Sequence, residues 1–112
     1  MSNKELIGII GAMQVETEGL IAEMTDTKTD TVSGVTFTSG TLCGKNVVVA
    51  TCGVGKVFAA TCAQTMILLF GATRIINTGV AGSLSPTLHV PDVAIATETV
   101  QHDYDISPLG FA

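Results

Sequence analysis

Three short strand-like runs, each followed closely by a turn of small residues, are the feature that most constrains how this chain can fold. The runs occupy residues 6–10, 47–51 and 74–78, and the turns are Gly-Ala-Met at 11–13, Gly-Val-Gly at 53–55 and Gly-Val-Ala-Gly at 79–82. Residues 6–10 form a continuous apolar run, which is typical of a strand buried on both faces. Helical segments at 14–24 and 56–70 separate the runs. Strands that alternate with helices predict an α/β fold with a mixed central sheet flanked by helices.

The remaining segments are assigned by alternation and composition. Residues 35–40 alternate between apolar and polar as a half-solvated strand does, residues 93–97 form a further apolar strand, and the Thr-, Asp- and Lys-rich residues 26–33 are predicted to be a loop. The helix at 56–70 is apolar nearly all round, so we expect it to be buried on several sides or to lie in a subunit interface. On the inner side of the first helix we place Val15, Leu20, Ile21 and Met24.

The charge balance excludes several classes of partner. The chain has 112 residues, which predicts a single domain over 1–112, and it carries 5 Lys+Arg against 10 Asp+Glu. A nucleic-acid surface needs a basic stripe, so no nucleic-acid partner is expected. Charged residues make up only 13% of the sequence. Because so short and apolar a chain has much surface to hide, we expect an oligomer or a piece of a larger fold.

The sequence predicts a cytoplasmic protein with no membrane partner. The first apolar run has only five residues, which is too short for the apolar region of a signal peptide, and the uncharged stretch at 57–73 is too short to span a membrane comfortably. The three cysteines (Cys43, Cys52 and Cys62) are an odd number and have no CxxC spacing, so reduced thiols are favoured over disulfides.

The turns after the three runs predict a small-molecule cleft, because ligands of open α/β sheets bind outside the carboxyl ends of the strands. The phosphate-binding patterns GxGxxG and GxxxxGK[ST] are both absent. Arg74, the only arginine, precedes its turn by a whole strand, so a bound phosphate is not expected. His89 is isolated, and the segment around His102 offers too few ligands for a metal site, so no metal is predicted.

Glu16 is the strongest candidate for a catalytic residue. It lies in the first turn of the first helix, just after the first glycine turn, so its carboxylate can face the mouth of the cleft. A carboxylate in such a position can act as a general base toward water. The alternative is an ordinary solvated glutamate at a helix start, where a negative charge suits the helix dipole.

Five blocks of the sequence, in this order and spacing, resemble the amino-terminal half of the 5′-methylthioadenosine/S-adenosylhomocysteine nucleosidases, within the nucleoside phosphorylase/nucleosidase superfamily. The resemblance extends along nearly the whole chain and covers about half of the family's domain. It implies a phosphorylase/hydrolase-like fold that is incomplete relative to the family. The blocks are IGIIGAM at 7–13 with Glu16, GVGK at 53–56, INTGVAG at 76–82, VPD at 90–92 and His-Asp at 102–103.

The resemblance implies hydrolysis of the adenine–ribose bond of the two nucleosides, without a cofactor and in a homodimer. It gives Glu16 the activation of water, Met13 a contact with the ribose and Val54 a place in the pocket for the 5′-thio group. Leu109 matches a position that, in the family's homodimer, contributes to the 5′ pocket of the neighbouring subunit. The wall of the sugar and base is assigned to Val80, Ala81 and Gly82.

The resemblance also sets expectations about activity. The family's purine-protonating aspartate lies in the half that has no counterpart here, so we expect residues 1–112 alone to catalyse little. Val80 replaces a frequent serine and Leu109 a frequent phenylalanine, which leaves the preferred 5′ substituent open. Two other hypotheses remain: a non-catalytic module that binds a nucleoside or only dimerises, and a phosphorylase relative.

Overall fold

Five strands and two helices make up the part of the chain that the computed structural model describes, which is residues 5–79, 87 and 93–96. Residue contacts divide the chain into two compact units, Met1–Val80 and Ala81–Ala112, and these seven elements all belong to the first. In chain order they are β1 (Ile7–Gly11), α1 (Gln14–Glu23), β2 (Thr25–Val32), β3 (Val35–Leu42), β4 (Lys45–Thr51), α2 (Lys56–Phe70) and β5 (Arg74–Thr78).

The strands form one mixed sheet in the order β2-β3-β4-β1-β5. The three strand-like runs are its parallel part, with β1 between β4 and β5, while β2 and β3 extend the sheet on the β4 side in antiparallel fashion. The prediction of an α/β fold with a mixed sheet is therefore confirmed. Because β1, β4 and β5 run in the same direction, their carboxyl ends lie at one edge.

The two helices cover opposite faces of this sheet. Successive residues of a strand point to opposite faces, and the core is divided accordingly. Ile10 and Val48 pack in one cluster with Cys62 and Met66 of α2. Ile9 and Val49 pack in a second cluster, with Met24 at the end of α1. The sheet thus has one buried layer on each face.

The prediction of a loop over residues 26–33 was wrong, because residues 25–32 are a strand. They form the edge strand β2, whose side chains are mostly exposed. Two tight turns join β2 to β3 and β3 to β4, and both have positive φ at consecutive residues, as type I′ hairpin turns require. The φ values are 51° and 80° at Ser33 and Gly34, and 51° and 77° at Cys43 and Gly44.

Two further predictions were wrong in detail. Val15 was placed on the inner side of α1 but is 70% exposed, and the residue buried there is Thr17, with no exposed surface. Residues 93–96 of the second unit form no strand, and Val93 and Ile95 are about nine-tenths exposed, at 89% and 91%.

Helix α2 has the predicted bounds but buries only one face within the described residues. It ends at Gly71, which takes the left-handed conformation with φ 76°, and the Ala72 N–H donates to the Met66 carbonyl at 3.0 Å. Cys62 and Met66 are buried against the sheet. Large apolar side chains remain exposed on the other side, namely Val57, Phe58, Leu68 and Leu69. Neither helix of this part of the chain has the length and apolar character needed to span a membrane.

Candidate functional site

The carboxyl ends of the three parallel strands converge on Gly11. The sheet register pairs Gly11 with Thr51 at the end of β4 and with Thr78 at the end of β5. The Cys52 N–H, in the turn after β4, donates to the Gly11 carbonyl at 2.9 Å. Helix α1 begins three residues after Gly11, so its first turn stands directly over these strand ends.

Glu16 turns its side chain toward this edge of the sheet. Its Oε2 accepts a hydrogen bond from the Ala12 N–H at 3.1 Å. A Cβ atom placed on Gly79, just past β5, would lie 2.9 Å from the same oxygen, and one placed on Gly11 would lie 3.2 Å from the Glu16 Cβ. The side chain therefore passes over the end of β1 and brings its carboxylate to the end of β5. Within residues 5–79 the hydrogen bond from Ala12 is to Oε2, and no donor of this part of the chain is hydrogen-bonded to Oε1.

Thr17, the next residue of α1, ties the helix to β4. Its hydroxyl lies 2.7 Å from the Thr51 hydroxyl and donates to the Gln14 carbonyl at 3.3 Å. Its methyl group Cγ2 lies against Gly11, only 2.5 Å from where a Cβ would stand. The first turn of α1 is thereby fixed to the ends of two strands.

The thiol of Cys52, in the turn after β4, is buried and is not activated as a nucleophile. Burial raises the pKa of the Cys52 thiol, and the negative charge of Glu16 adds to the rise, although a backbone hydrogen bond opposes it. The Sγ atom points to the Gly53 carbonyl at 3.1 Å. A thiol whose pKa is raised carries little thiolate, which is the reactive form.

Arg74 lies at the other end of the sheet from Glu16. It opens β5, whose last residue Thr78 pairs with Gly11, and it forms a surface ion pair with Glu5. The expectation that the only arginine would lie away from the turns is confirmed.

The other predicted site residues are only partly described. Met13 precedes α1 and is 42% exposed, and Val54 lies in the turn before α2 and is 72% exposed. Both flank the strand ends that Glu16 overlies. Val80, Ala81, Gly82 and Leu109 lie outside the described residues, as do His89, His102, Asp103 and Asp105. Among the described residues no three His, Cys, Asp or Glu side chains come together as a metal site.

The sequence analysis missed Thr17 and Thr51. The signal was present, because positions 17, 20, 21 and 24 follow the spacing of a buried helix stripe, and a threonine on such a stripe needs a hydrogen-bond partner. The run at 47–51 likewise ends in a hydroxyl residue at the strand end.

Known proteins of one superfamily match the sequence of this chain along most of its length. The profile of the phosphorylase superfamily matches residues 6–112. A 5′-methylthioadenosine/S-adenosylhomocysteine nucleosidase of Shewanella loihica is 43% identical over 105 residues, which are 94% of this chain and 46% of that protein. The chain thus spans about half the length of the curated relatives it matches.

Solved structures show the same likeness. The nucleosidase of Colwellia psychrerythraea in complex with adenine superposes with a TM-score of 0.90 at 37% identity, over 97% of this chain and 45% of the other. The Neisseria meningitidis enzyme in complex with methylthio-immucillin-A gives 0.89 at 41% identity, over 96% and 47%. The resemblance drawn from the sequence blocks is confirmed. With its profile matched from residue 6 to residue 112, the chain belongs to the phosphorylase superfamily.

Proposed function

We propose that this chain supplies the water-activating half of a nucleosidase site, which hydrolyses the N-glycosidic bond of 5′-methylthioadenosine and S-adenosylhomocysteine and releases adenine. The observation that carries the proposal is the Glu16 carboxylate, held over the ends of β1 and β5 with one oxygen bonded to Ala12. Relatives that are named as nucleosidases for these two compounds, and that match nearly the whole chain, support the choice of substrates.

The chemistry asked of Glu16 follows from the bond that breaks. Cleavage of an N-glycosidic bond passes through an oxocarbenium-like sugar, and a water must reach the anomeric carbon as the purine leaves. With Oε2 fixed by the Ala12 N–H, Oε1 can accept a proton from that water. The leaving adenine also needs a proton, and we assign that step to no residue of 5–79, so Glu16 alone gives only the nucleophile's side of catalysis.

The remaining contacts are proposed around this carboxylate. Met13 and Val54, both exposed beside the strand ends, are assigned to the ribose and to the 5′-thio group. Val80, Ala81 and Gly82, which continue the chain from the end of β5, are assigned to the wall of the sugar and base. Leu109 is assigned to the 5′ pocket of a neighbouring subunit.

Water is preferred over phosphate as the nucleophile. The phosphorylases of this superfamily, as the resemblance implies, hold the attacking phosphate with arginines, whose guanidinium group can bind two phosphate oxygens at once. Arg74 is the only arginine of the chain, and it lies at the amino end of β5, paired with Glu5. Its position supports a hydrolase over a phosphorylase.

The experiment is an assay of adenine release from both nucleosides. It uses the chain itself and a chimaera in which this chain replaces the matching segment of the Shewanella loihica relative. We expect turnover in the chimaera and little in the chain alone. Glu16→Gln should lower kcat about 100-fold or more, the usual contribution of a general base. Glu23→Gln, at the exposed far end of the same helix, is the matched control.

Three outcomes would redirect the proposal. Cleavage that requires phosphate identifies a phosphorylase. Calorimetric binding of 5′-methylthioadenosine that is unchanged by Glu16→Gln, with no turnover in the chimaera, identifies a binding module. Turnover that is unchanged in Glu16→Gln would show that Glu16 takes no part in the reaction.

We also propose that two copies of the chain pair through α2. The exposed face of this helix carries Val57, Phe58, Leu68 and Leu69. Thr61 and Thr65 lie on the same face, and each donates its hydroxyl to a carbonyl of its own helix, at 2.8 Å and 2.9 Å. Their hydroxyl protons are thus not offered to solvent. An apolar face of this kind is typical of a protein interface.

Residues 1–112 are proposed to act as one partial domain, in the cytoplasm. The three cysteines are free thiols, with Cys52 and Cys62 buried, as suits a reducing compartment.

A further inference from the structure

The hydroxyl pair of Thr17 and Thr51 joins the residue after Glu16 to the end of β4 and takes no part in the chemistry proposed so far. Thr17 has no exposed surface, although it is a polar residue at the start of a helix. Its hydroxyl lies 3.3 Å from the Gln14 carbonyl and 2.7 Å from the Thr51 hydroxyl, and either hydroxyl can be the donor in the shorter contact. The pair thus links α1 to β4 by one hydrogen bond.

We infer that this hydrogen bond sets the position of the Glu16 carboxylate, which makes Thr17 a positioning residue for the proposed reaction. The inference rests on the proposed function for its catalytic meaning. Its physical basis is distance. Two hydroxyl oxygens approach to 2.7 Å, whereas two carbon atoms in contact stay about 3.5–4.0 Å apart. The hydrogen bond lets the first turn of α1 sit about 1 Å closer to β4 than an apolar pair allows.

A shift of about 1 Å in the first turn of α1 would also displace Glu16. Glu16 and Thr17 are adjacent in the first turn, and both pack against Gly11. If the turn moved away from β4, the Glu16 side chain would move with it and lengthen its bond to the Ala12 N–H, now 3.1 Å. A displacement of about 1 Å at a reacting group can cost about 100-fold in rate.

Two substitutions of Thr17 separate the hydroxyl from the bulk of the side chain. Thr17→Val keeps the shape and removes the hydroxyl, so a methyl group faces Thr51. Thr17→Ser keeps the hydroxyl and removes the methyl group that packs on Gly11. A purely structural role predicts that both variants lose stability and that neither changes Glu16 selectively. The positioning role predicts that only Thr17→Val releases the carboxylate.

The test is the NMR chemical shift of the Ala12 amide proton in the folded chain, which reports the hydrogen bond from Glu16. Glu16→Gln gives the reference value without a carboxylate. We expect Thr17→Val to move the shift most of the way to that reference and Thr17→Ser to leave it unchanged. Thr51→Val removes the same hydrogen bond from the strand side, with Thr51→Ser as its control, and decides the question if Thr17→Val does not fold.

The shift is measured without substrate, so a chain that releases no adenine still gives an answer, and failure of the proposed function is seen separately. In the active chimaera Thr17→Val should lower kcat about 100-fold with KM little changed, and Thr17→Ser should restore it. An Ala12 shift that stays at its original value in Thr17→Val and Thr51→Val overturns the inference. So does a shift that moves as far in the serine variants.

Discussion

At the scale of single residues, Glu16 depends on neighbours that have no side chain. The carboxylate occupies the space where a Cβ of Gly79 would stand, and its stem occupies the space above Gly11. Neither glycine has a positive φ, so it is room and not backbone freedom that requires glycine at these two positions. Gly79 therefore acts on the site by leaving space for the carboxylate.

Gly79→Ala should lower activity with little loss of stability. The new methyl group would stand 2.9 Å from the Glu16 Oε2, which is the far end of a flexible side chain and can swing away. In the chimaera we expect kcat to fall about 100-fold while the free energy of unfolding changes by less than about 0.5 kcal/mol. Adenine release and urea denaturation measure the two quantities. Equal activity in Gly79→Ala would show that the carboxylate acts from another position.

The thiol of Cys62 makes stability depend on alkaline pH. Burial raises its pKa to about 11 from an ordinary value of 9.0, and the neighbouring Cys52 adds to the rise. Between these values the unfolded chain loses the proton while the folded chain keeps it, so unfolding becomes more favourable as pH rises. Urea denaturation from pH 8 to 11 should show this loss, and Cys62→Ala should reduce it. Cys43→Ala, at an exposed thiol, is the control and should leave the slope as it was.

At the scale of elements, the close approach of α2 to β1 depends on Gly8. A Cβ on Gly8 would stand 2.6 Å from the Met66 sulfur and 2.8 Å from the Ile75 Cδ1. Met66 is completely buried, so it has no open space to move into. Gly8→Ala should lower the free energy of unfolding by about 1–3 kcal/mol, as overpacked cores do.

Gly19→Ala is the matched control for that measurement. Gly19 lies in α1, and a Cβ there meets nothing within 4 Å. Alanine is the better helix former, so this variant should gain up to about 1 kcal/mol. If Gly8→Ala proved as stable as the original chain, the packing of α2 on β1 would have to be looser than described.

The elements that the sequence predicted best are those with an apolar run and a small-residue turn at their end. Strand β1 and residues 47–50 of β4 are apolar, and Gly71 marks the end of α2. Strand β2 escaped prediction because it is an edge strand with mostly exposed side chains, so its threonines show no apolar alternation. The prediction for Val15 was wrong because the buried stripe of α1 contains a threonine, and a polar residue in a helix pattern predicts an exposed position.

Part of the candidate site was predictable from the sequence. Its glycine turns and Glu16 follow from the order of strands and helices, because carboxyl ends of parallel strands meet at one edge. The contact between Glu16 and Gly79 was not predictable, since it joins β1 and β5 through the sheet register. The link between Thr17 and Thr51 depends on the same kind of long-range register, and spacing along the chain cannot supply it.

At the scale of the whole molecule, the described residues combine closely packed strand ends around Glu16 with an exposed apolar face on α2. The strand ends around Glu16 are tied together by hydrogen bonds and close packing, whereas α2 leaves four large apolar side chains exposed on one face. This face carries no Asp, Glu or Arg in the helix sequence, and Lys56 at the first position is the helix's one charged residue. Such a face lowers its free energy by burial against a partner, and a second copy is the partner we propose.

The pairing of two copies is tested by placing one charge on this face. Leu68 is 71% exposed on α2, so Leu68→Glu should leave the fold intact while making burial of the face costly. Sedimentation at micromolar concentration should give a dimer for the original chain and a monomer for Leu68→Glu. Thr27→Glu adds the same charge on the exposed edge strand β2 and should remain a dimer. An original chain that stays monomeric and soluble would mean that another surface covers this face. In the chimaera, Leu68→Glu would then lower stability without changing the oligomeric state, because the face would be buried within one subunit.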